Sequence, residues 1–287
     1  MNGLKNRDIG VIAFDLDGTL LRDDKSMSER TEKALAGAAV SGRIIVPVTG
    51  RPLSGVPEEI LSIPGIRYVI SSNGAVTTDV YEGKTLREAL IDTADAIRII
   101  GEAGRPGCVY TVFCQGYGYS DSGTLKKITD HYSSSPLLGY ILKTRKAADD
   151  IAKVIEKSGG AENIWIMTSD AYQRDELCRI ISSSGRLRTV RASDRELEAG
   201  DALADKGLAL RDLCGMLGAD SSAALSFGDS DNDRGLADVS GIFAAVANAT
   251  GDLAQRADLI TASNNDDGPA QVIERLLEDP DGSLPCK

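Results

Sequence analysis

The chain has 287 residues, with 32 Lys and Arg against 43 Asp and Glu, giving a formal charge of −11; that surplus of negative charge argues against nucleic acid or an anionic membrane surface as a partner. Hydrophobic residues at 42% and charged residues at 26% are ordinary for a soluble globular protein, and the length suits one large domain or two of moderate size. The longest apolar runs, Gly10 to Phe14 and Ile44 to Val48, fall far short of the roughly 20 residues of a membrane helix, and the polar start from Met1 to Asp8 lacks the apolar core of a signal peptide, so a cytoplasmic protein is expected.

Ile9 to Phe14 is a short apolar run ending in Asp15, which predicts a buried strand of a parallel sheet. Ser28 to Val40 carries Leu and Ala at helical spacing. Arg43 to Val48 is a second apolar strand, broken at Thr49-Gly50-Arg51-Pro52, and a third run, Tyr68 to Ile70, stops at Ser71-Ser72-Asn73-Gly74. Strand, helix, strand, helix, strand predicts an α/β fold with a doubly wound, Rossmann-like parallel sheet.

The rhythm changes after about Leu86. Helices are expected over Thr93 to Glu102, Leu125 to Tyr132 and Ala147 to Lys157, and strands over Cys108 to Phe113, Asn163 to Met167 and Leu187 to Arg191. Gln115 to Tyr119 and Ser182 to Ser184 read as turns. Residues 86–200 are therefore expected to form a smaller α+β domain inserted into the first, which takes up 1–85 and 201–287. From Asp205 the first rhythm returns: a helix from Asp205 to Leu217, the strand Ala223 to Phe227, strands over Ile242 to Val246 and Asp258 to Thr261, and a helix from Pro269 to Glu278. The stretch from Asp279 to Lys287, with its two prolines, is expected to fray.

Two counts narrow the chemistry. The five cysteines (Cys108, Cys114, Cys178, Cys214, Cys286) are scattered without a CxxC pair, which fits neither a disulfide framework nor a zinc site and predicts buried free thiols. His131 is the only histidine, so a multi-histidine metal site is excluded and a catalytic triad would depend on that one residue. Hydrolytic chemistry is left to carboxylates, hydroxyls and lysines.

Phe14-Asp15-Leu16-Asp17-Gly18-Thr19-Leu20 follows the first strand directly. In extended backbone, side chains two apart point the same way, so Asp15 and Asp17 are expected to converge at the carboxyl end of the strand, where open α/β sheets bind ligands. Two close carboxylates call for a cation or a shared proton, and oxygen-only ligands favour Mg²⁺. The plainer alternative is a polar turn that caps a helix. A second acidic cluster, Gly228-Asp229-Ser230-Asp231-Asn232-Asp233, also follows an apolar strand; it is either the other half of the same metal site or a helix N-cap cluster. Thr49 offers a hydroxyl and an N–H, and Lys206 a positive charge, unless it is one more solvated lysine. Together these parts match the needs of phosphoryl transfer: a nucleophile, an acid/base, a divalent cation and donors around the phosphate.

On these residues the chain resembles the haloacid dehalogenase superfamily of phosphatases, whose four loops occur here in order: Asp15 to Thr19, Val48 to Arg51, Lys206 to Leu210, and Gly228 to Asp233. Ser72-Asn73-Gly74-Ala75 and Asn264-Asn265-Asp266-Asp267-Gly268 also resemble elements of its Cof-type branch, which carries a cap domain between the second and third loops. The resemblance implies that Asp15 attacks phosphorus to form an aspartyl phosphate, and that Asp17 protonates the leaving alcohol and then activates water. Thr49, Gly50, Arg51, Asn73, Lys206 and Asn232 would contact phosphate or substrate. Asp15, Asp17 (through its backbone carbonyl), Asp229 and Asp233 would make up the surroundings of Mg²⁺. Two departures stand out. The stretch Leu197 to Asp205 lacks the family's Pro and Gly before the lysine, and Ala247-Asn248-Ala249 lacks the Gly that often precedes Asn-Ala.

The expected partner is a small phosphorylated metabolite, with no nucleic acid and no membrane; the sequence carries no signal for oligomeric state. Sugar phosphates, phosphoglycolate-like species and pyridoxal phosphate are the candidate esters. A phosphomutase of the same superfamily, or a non-catalytic binding module, is the alternative. The cap is expected to choose the leaving group, with Arg105, Arg186, Arg188 and Arg191 as candidate contacts or plain surface arginines, and Tyr110, Tyr117 and Tyr119 as mouth or packing residues. Trp165 is assigned to the cap core and His131 receives no role.

Overall fold

The computed structural model of the protein describes residues 5–183, 185–191 and 193–285. Expectations that reach Met1 to Leu4, Ser184, Cys286 or Lys287 lie outside the described residues. The chain divides into two compact units: Met1–Gly50, Pro57–Arg87 and Asp205–Lys287 form one, and Arg51–Val56 and Glu88–Ala204 the other. Where the sequence places the junctions at 85/86 and 200/201, the units meet at 87/88 and 204/205, and residues 51–56 go with the second unit.

In chain order the first unit begins with β1 (Val11–Phe14), α1 (Glu29–Val40), β2 (Ile44–Pro47), α2 (Glu58–Leu61), β3 (Tyr68–Ser71), β4 (Val76–Asp79) and β5 (Lys84–Glu88). All four residues of β1 are buried, as a strand covered on both faces requires. α1 starts where Ser28 accepts from the Thr31 N–H, and its buried residues Thr31, Ala34, Leu35 and Ala38 fall on one stripe at helical spacing. β4 and β5 were not expected. Val-Thr-Thr-Asp and Lys-Thr-Leu-Arg-Glu carry no apolar run, and only pairing, of β4 with β3 and of β5 with β4, makes them strands.

The second unit holds α3 (Thr93–Ala103), β6 (Val109–Cys114), β7 (Tyr117–Ser120), α4 (Ser122–His131), α5 (Leu138–Thr144), β8 (Arg145–Ala147), α6 (Ile151–Ser158), β9 (Asn163–Met167), α7 (Ala171–Ser182), β10 (Leu187–Arg191) and β11 (Glu196–Asp201). Its sheet runs β10-β11-β9-β6-β7-β8, antiparallel except for β7 beside β8. Alternate residues of the strands serve two cores. Val112, Ile164 and Ile166 pack with Ile99, Ile155 and Leu177 of α3, α6 and α7, while Val109, Phe113 and Trp165 pack with Ile128 of α4 and Ile141 of α5. The turn expected over Gln115 to Tyr119 is tighter. Gln115 and Gly116 take positive φ of 49° and 76°, and β7 begins at Tyr117.

The first unit resumes with α8 (Lys206–Met216), β12 (Ala224–Gly228), α9 (Arg234–Val239), β13 (Ile242–Ala245), α10 (Gly251–Arg256), β14 (Leu259–Ile260) and α11 (Gly268–Glu278). Its five-stranded sheet has the order β14-β13-β12-β1-β2 and is parallel throughout. β3 lies beyond β2 through the Val48–Ile70 bridge and leads into the antiparallel β3-β4-β5. β1 is therefore flanked by β2 on one side and by β12, from the far end of the sequence, on the other. The stretch expected to fray after α11 is anchored instead: Ser283 bridges to Lys5, and Leu284 is buried.

α8 and α9 touch backbone to backbone. A Cβ on Gly207 would overlap the Gly235 carbonyl, and one on Gly235 would overlap the Asp205 carboxylate. Gly207→Ala is expected to lower stability by about 1–3 kcal/mol or more, the usual cost of overpacking, read as a shift of the urea midpoint. An unchanged midpoint would mean that α8 can move aside freely.

Candidate active site

Loops after β1, β2, β3 and β12 and the first turn of α8 converge within the first unit. Asp15 follows β1 directly, its N–H donates to the Phe227 carbonyl at 3.1 Å, and its carboxylate is buried. Lys206 opens α8 behind the N-cap Asp205, whose carboxylate accepts from the Leu208 N–H at 2.9 Å. The Lys206 side chain is wholly buried; its Nζ donates to Asp15 Oδ1 and to Asp233 Oδ1, both at 2.7 Å. The other oxygen of Asp233 accepts from the N–H groups of Asp229 at 3.0 Å and Ser230 at 3.1 Å. Glycine is required at 228, where a Cβ would stand 2.5 Å from that of Asp233.

Asp229 completes the cluster. Its Oδ1 accepts from the Thr19 hydroxyl at 3.1 Å, and Gly18, at φ 80°, leaves room for its carboxylate, since a Cβ there would come within 2.7 Å of Oδ2. Ligand oxygens of Asp15, Asp229 and Asp233 all lie within 4.8 Å of one another. Three carboxylates thus surround one ammonium. Burial pushes Asp15 up to about 7, with Lys206 opposing and Asp233 and Asp229 adding repulsion. Asp229 is raised to about 6 by burial and by Asp233, against the Thr19 hydrogen bond. Burial works against the Lys206 charge, but Asp15 and Asp233 outweigh it and hold the ammonium above the ordinary lysine value. Oxygen-only donors with surplus negative charge suit a hard divalent cation.

Asp17 is not in that cluster. β1 ends at Phe14 and the chain turns at once, the Leu16 carbonyl accepting from the N–H groups of Thr19, Leu20 and Leu21 at 3.4, 3.1 and 2.8 Å, so the two-residue alternation of a strand does not carry through to residue 17. The Asp17 carboxylate is partly exposed and lies 2.9 Å from Lys25 Nζ. Lys25 itself holds a left-handed φ of 68°. Sequence reasoning missed this lysine, which sits outside the motif.

The polar candidates meet on the other side. The Thr49 N–H donates to Ile70 at 2.8 Å, its carbonyl accepts from the Asn73 N–H at 3.0 Å, and Asn232 Nδ2 donates to Asn73 Oδ1 at 2.9 Å. A Cβ on Gly50 would stand 2.9 Å from that same oxygen. Asn73 and Gly74 have φ of 56° and 89°, and a Cβ on Gly74 would overlap the Asp205 carbonyl, so this turn packs onto the start of α8. Arg87 pins it, donating to the Gly74 carbonyl at 2.7 Å and to Asp212 at 2.8 Å.

Arg51 belongs to the second unit, where its guanidinium lies 5.2 Å from the Tyr140 ring centroid and donates to the Gly55 carbonyl at 3.0 Å. The other arginine candidates are held in pairs inside that unit: Arg105 with Glu102 and Glu176, Arg186 with Asp92 and Asp95, and Arg191 with Asp175. Arg188 Nε lies near Gly200. Tyr110 and Tyr119 pack against the larger core of that unit, Lys146 lies over the Tyr117 ring, Trp165 is a core residue, and His131 meets Tyr132 edge-on. Cys114, Cys178 and Cys214 are buried free thiols and Cys108 is half-buried.

Among the described residues no helix is long and apolar enough to cross a membrane. The profile of the haloacid dehalogenase-like hydrolases matches residues 12–273. Phosphatase YwpJ of Bacillus subtilis is 28% identical over 298 residues, covering 93% of this chain and 99% of its own. The 5-amino-6-(5-phospho-D-ribitylamino)uracil phosphatase YwtE of the same organism is 26% identical, covering 93% and 97%. In fold, a haloacid dehalogenase-like hydrolase from Bacteroides thetaiotaomicron superposes with a TM-score of 0.80 at 22% identity, over 93% of this chain and 98% of that one. With a profile match that spans all four motif loops, the chain belongs to the haloacid dehalogenase-like hydrolases.

Proposed function

We propose that this hydrolase is a Mg²⁺-dependent phosphatase that cleaves a small phosphate monoester through a phosphoryl group carried on Asp15. The observation that carries the reading is the wholly buried Lys206, held at 2.7 Å by both Asp15 and Asp233 beside Asp229. A buried ammonium fixed on a carboxylate that ends a strand adds little to stability by itself, but it is what a phosphoryl group arriving at that carboxylate requires.

Asp15 presents its oxygen to phosphorus; the new O–P bond forms as the bond to the leaving oxygen breaks. Asp17 gives its proton to that oxygen, and the alcohol departs. Asp17, now a carboxylate, takes a proton from water as the water oxygen attacks phosphorus, which releases phosphate and restores Asp15. Lys206 balances charge on the transferred oxygens, and the Thr49 hydroxyl and Asn73 and Asn232 amides orient them. Asp15 and Asp229 would hold Mg²⁺, with Asp233 beside them. When bound, the ion supplies charge that draws the phosphate in and offsets the repulsion between these carboxylates. The second unit, as a cap, selects the leaving group. Relatives named for phosphorylated metabolites, such as the ribitylaminouracil phosphate of YwtE, support a small monoester, and the reading places the protein in the cytoplasm.

The test is release of inorganic phosphate from a panel of phosphorylated metabolites, with Mg²⁺ and then with a chelator. Chelator-sensitive release from one chemical group of esters is expected, without any bisphosphate activator. No release from any ester would refute the reading. Asp229→Asn is expected to raise the Mg²⁺ concentration needed for half-maximal rate and to lower the rate by about 10²-fold or more, on the scale of a lost electrostatic stabiliser; a metal titration matching the parent's would remove Asp229 from the metal site.

A further inference from the structure

The mechanism leaves Ala247-Asn248-Ala249 and the Asn264 to Gly268 segment without a role, yet both reach back to the loop that follows Asp15. Asn248 Nδ2 donates to the Gly18 carbonyl at 2.7 Å, and Asn248 Oδ1 accepts from the Asn264 N–H at 3.0 Å. Asn264, itself buried, donates through Nδ2 to the Leu21 carbonyl at 3.0 Å and to Asp23 Oδ1 at 3.1 Å. Asn265 grips Asp23 in both directions, accepting from its N–H at 3.1 Å and donating to its carboxylate at 2.9 Å. Arg22 donates to Asp267 at 3.0 Å. One relay of amides therefore holds both ends of the Gly18 to Leu21 turn and the start of the segment that carries Lys25.

We propose that Asn248 and Asn264 are positioning residues: they clasp this loop so that Asp17 stands where it can exchange its proton with the leaving oxygen. The proposal rests on the reading of Asp17 as acid and base. Asp17 is attached to the clasp on two sides. Its backbone pairs with Leu21 and precedes the pinned Gly18 peptide, and its carboxylate meets Lys25 at 2.9 Å. An ion pair between two partly exposed groups is too weak to fix a side chain unaided, so the placement of the loop has to come from the amide relay, anchored on the buried Asn264. Asp15, Lys206 and Asp233 are held by separate bonds to β12 and to each other. Loosening the clasp should therefore spare nucleophilic attack and impair proton delivery, a division that general loss of structure would not produce.

The division can be read from the leaving group. An alkyl alcohol needs a proton as it departs, whereas p-nitrophenolate does not, and a general acid contributes on the order of 10²–10⁴-fold to the former. First-turnover alcohol release would be measured by rapid quench for p-nitrophenyl phosphate and for the alkyl monoester hydrolysed fastest in the panel. Asn248→Asp keeps the acceptor for the Asn264 N–H but loses the donor to Gly18. It is expected to slow the alkyl ester by about tenfold or more, with the p-nitrophenyl ester and both KM values changed by less than about threefold. Lys25→Met, outside the amide relay, is the control: the ion pair alone is weak, so both esters are expected to change by less than about fivefold, and a selective loss as large as that of Asn248→Asp would move the placement of Asp17 from the amides to Lys25. Equal slowing of the two esters in Asn248→Asp, while Asp17→Asn still discriminates between them, would overturn the clasp. If Asp17→Asn itself slows both equally, the acid/base reading fails and the clasp falls with it. A melting curve for each variant separates unfolding from either result.

Discussion

Asp15→Asn is expected to abolish turnover, with a loss of about 10⁴-fold or more, in a protein that still folds. The magnitude follows from the proposed role: a nucleophile acts as part of a unit, and removing it would forfeit the covalent path altogether. Retention of the fold follows from the contacts. The amide oxygen of the new side chain can still accept from Lys206, which also keeps Asp233 at 2.7 Å, and burial already works against a charge at this position, holding the Asp15 carboxyl up to about 7. A neutral side chain of the same shape suits that site. Phosphate release and a thermal melt on the same preparation check both halves. Substantial residual turnover would eliminate the phosphorylated Asp15, and a collapsed melt would show that the Lys206 pair holds the fold together as well.

Lys206→Met should do the opposite to stability. This lysine is the cation that neutralises Asp15 and Asp233 directly, and none of its side chain is exposed. Methionine fills the volume but leaves two buried carboxylates facing each other with Asp229 nearby. Breaking a buried ion pair by removing one partner costs about 3–5 kcal/mol, so the denaturation midpoint should fall clearly below that of the parent. Activity should fall by about 10²–10³-fold or more, as for the loss of a preorganised donor to a developing charge. A variant as stable as the parent would show that the carboxylates simply take up protons, at little cost, and that the lysine does not anchor the loops.

These two residues also mark what could be read from the sequence. Asp15 was legible because Val11–Phe14 is a fully buried strand and any polar residue at its carboxyl end lies where such sheets bind ligands. Asp229 was legible on the same ground after β12. Lys206 was not legible from its own neighbourhood: nothing in Asp-Lys-Gly-Leu-Ala sets it apart from a surface lysine, and its burial comes from Gly207 and Gly74, which let α9 and the β3–β4 turn close over it. Only the order of the motifs singled it out. Asp17 shows the limit of periodicity, because the alternation that would aim it beside Asp15 stops at Phe14, where the strand stops. Lys25 had no local signal, and Asn248 and Asn264 stood out only through the resemblance of their stretches to family elements, since their partners lie across a turn or in a distant stretch of chain. In the second unit α7 and β11 escaped for a simpler reason: Ala171–Ser182 is rich in polar residues, and β11 interleaves Glu, Gly and Asp with its buried Leu197 and Ala199.

The place of β1 in its sheet governs how the protein is made. One edge of β1 is taken by β2 soon after synthesis, but the other waits for β12, and Asp15 waits for a lysine 191 residues further on. At a synthesis rate of roughly 5–20 residues per second, that interval lasts about 10–40 s. Throughout it the nascent chain carries an apolar strand with an open edge, ending in an acid that has no counter-ion, a combination that invites mispairing. The second unit, contiguous apart from residues 51–56, ends at Ala204, just ahead of Lys206 and before β12 is made. The ribosome therefore delivers a finished insert on an unfinished host, and a chaperone that shields strand edges should raise the yield of active protein more than one that assists the insert.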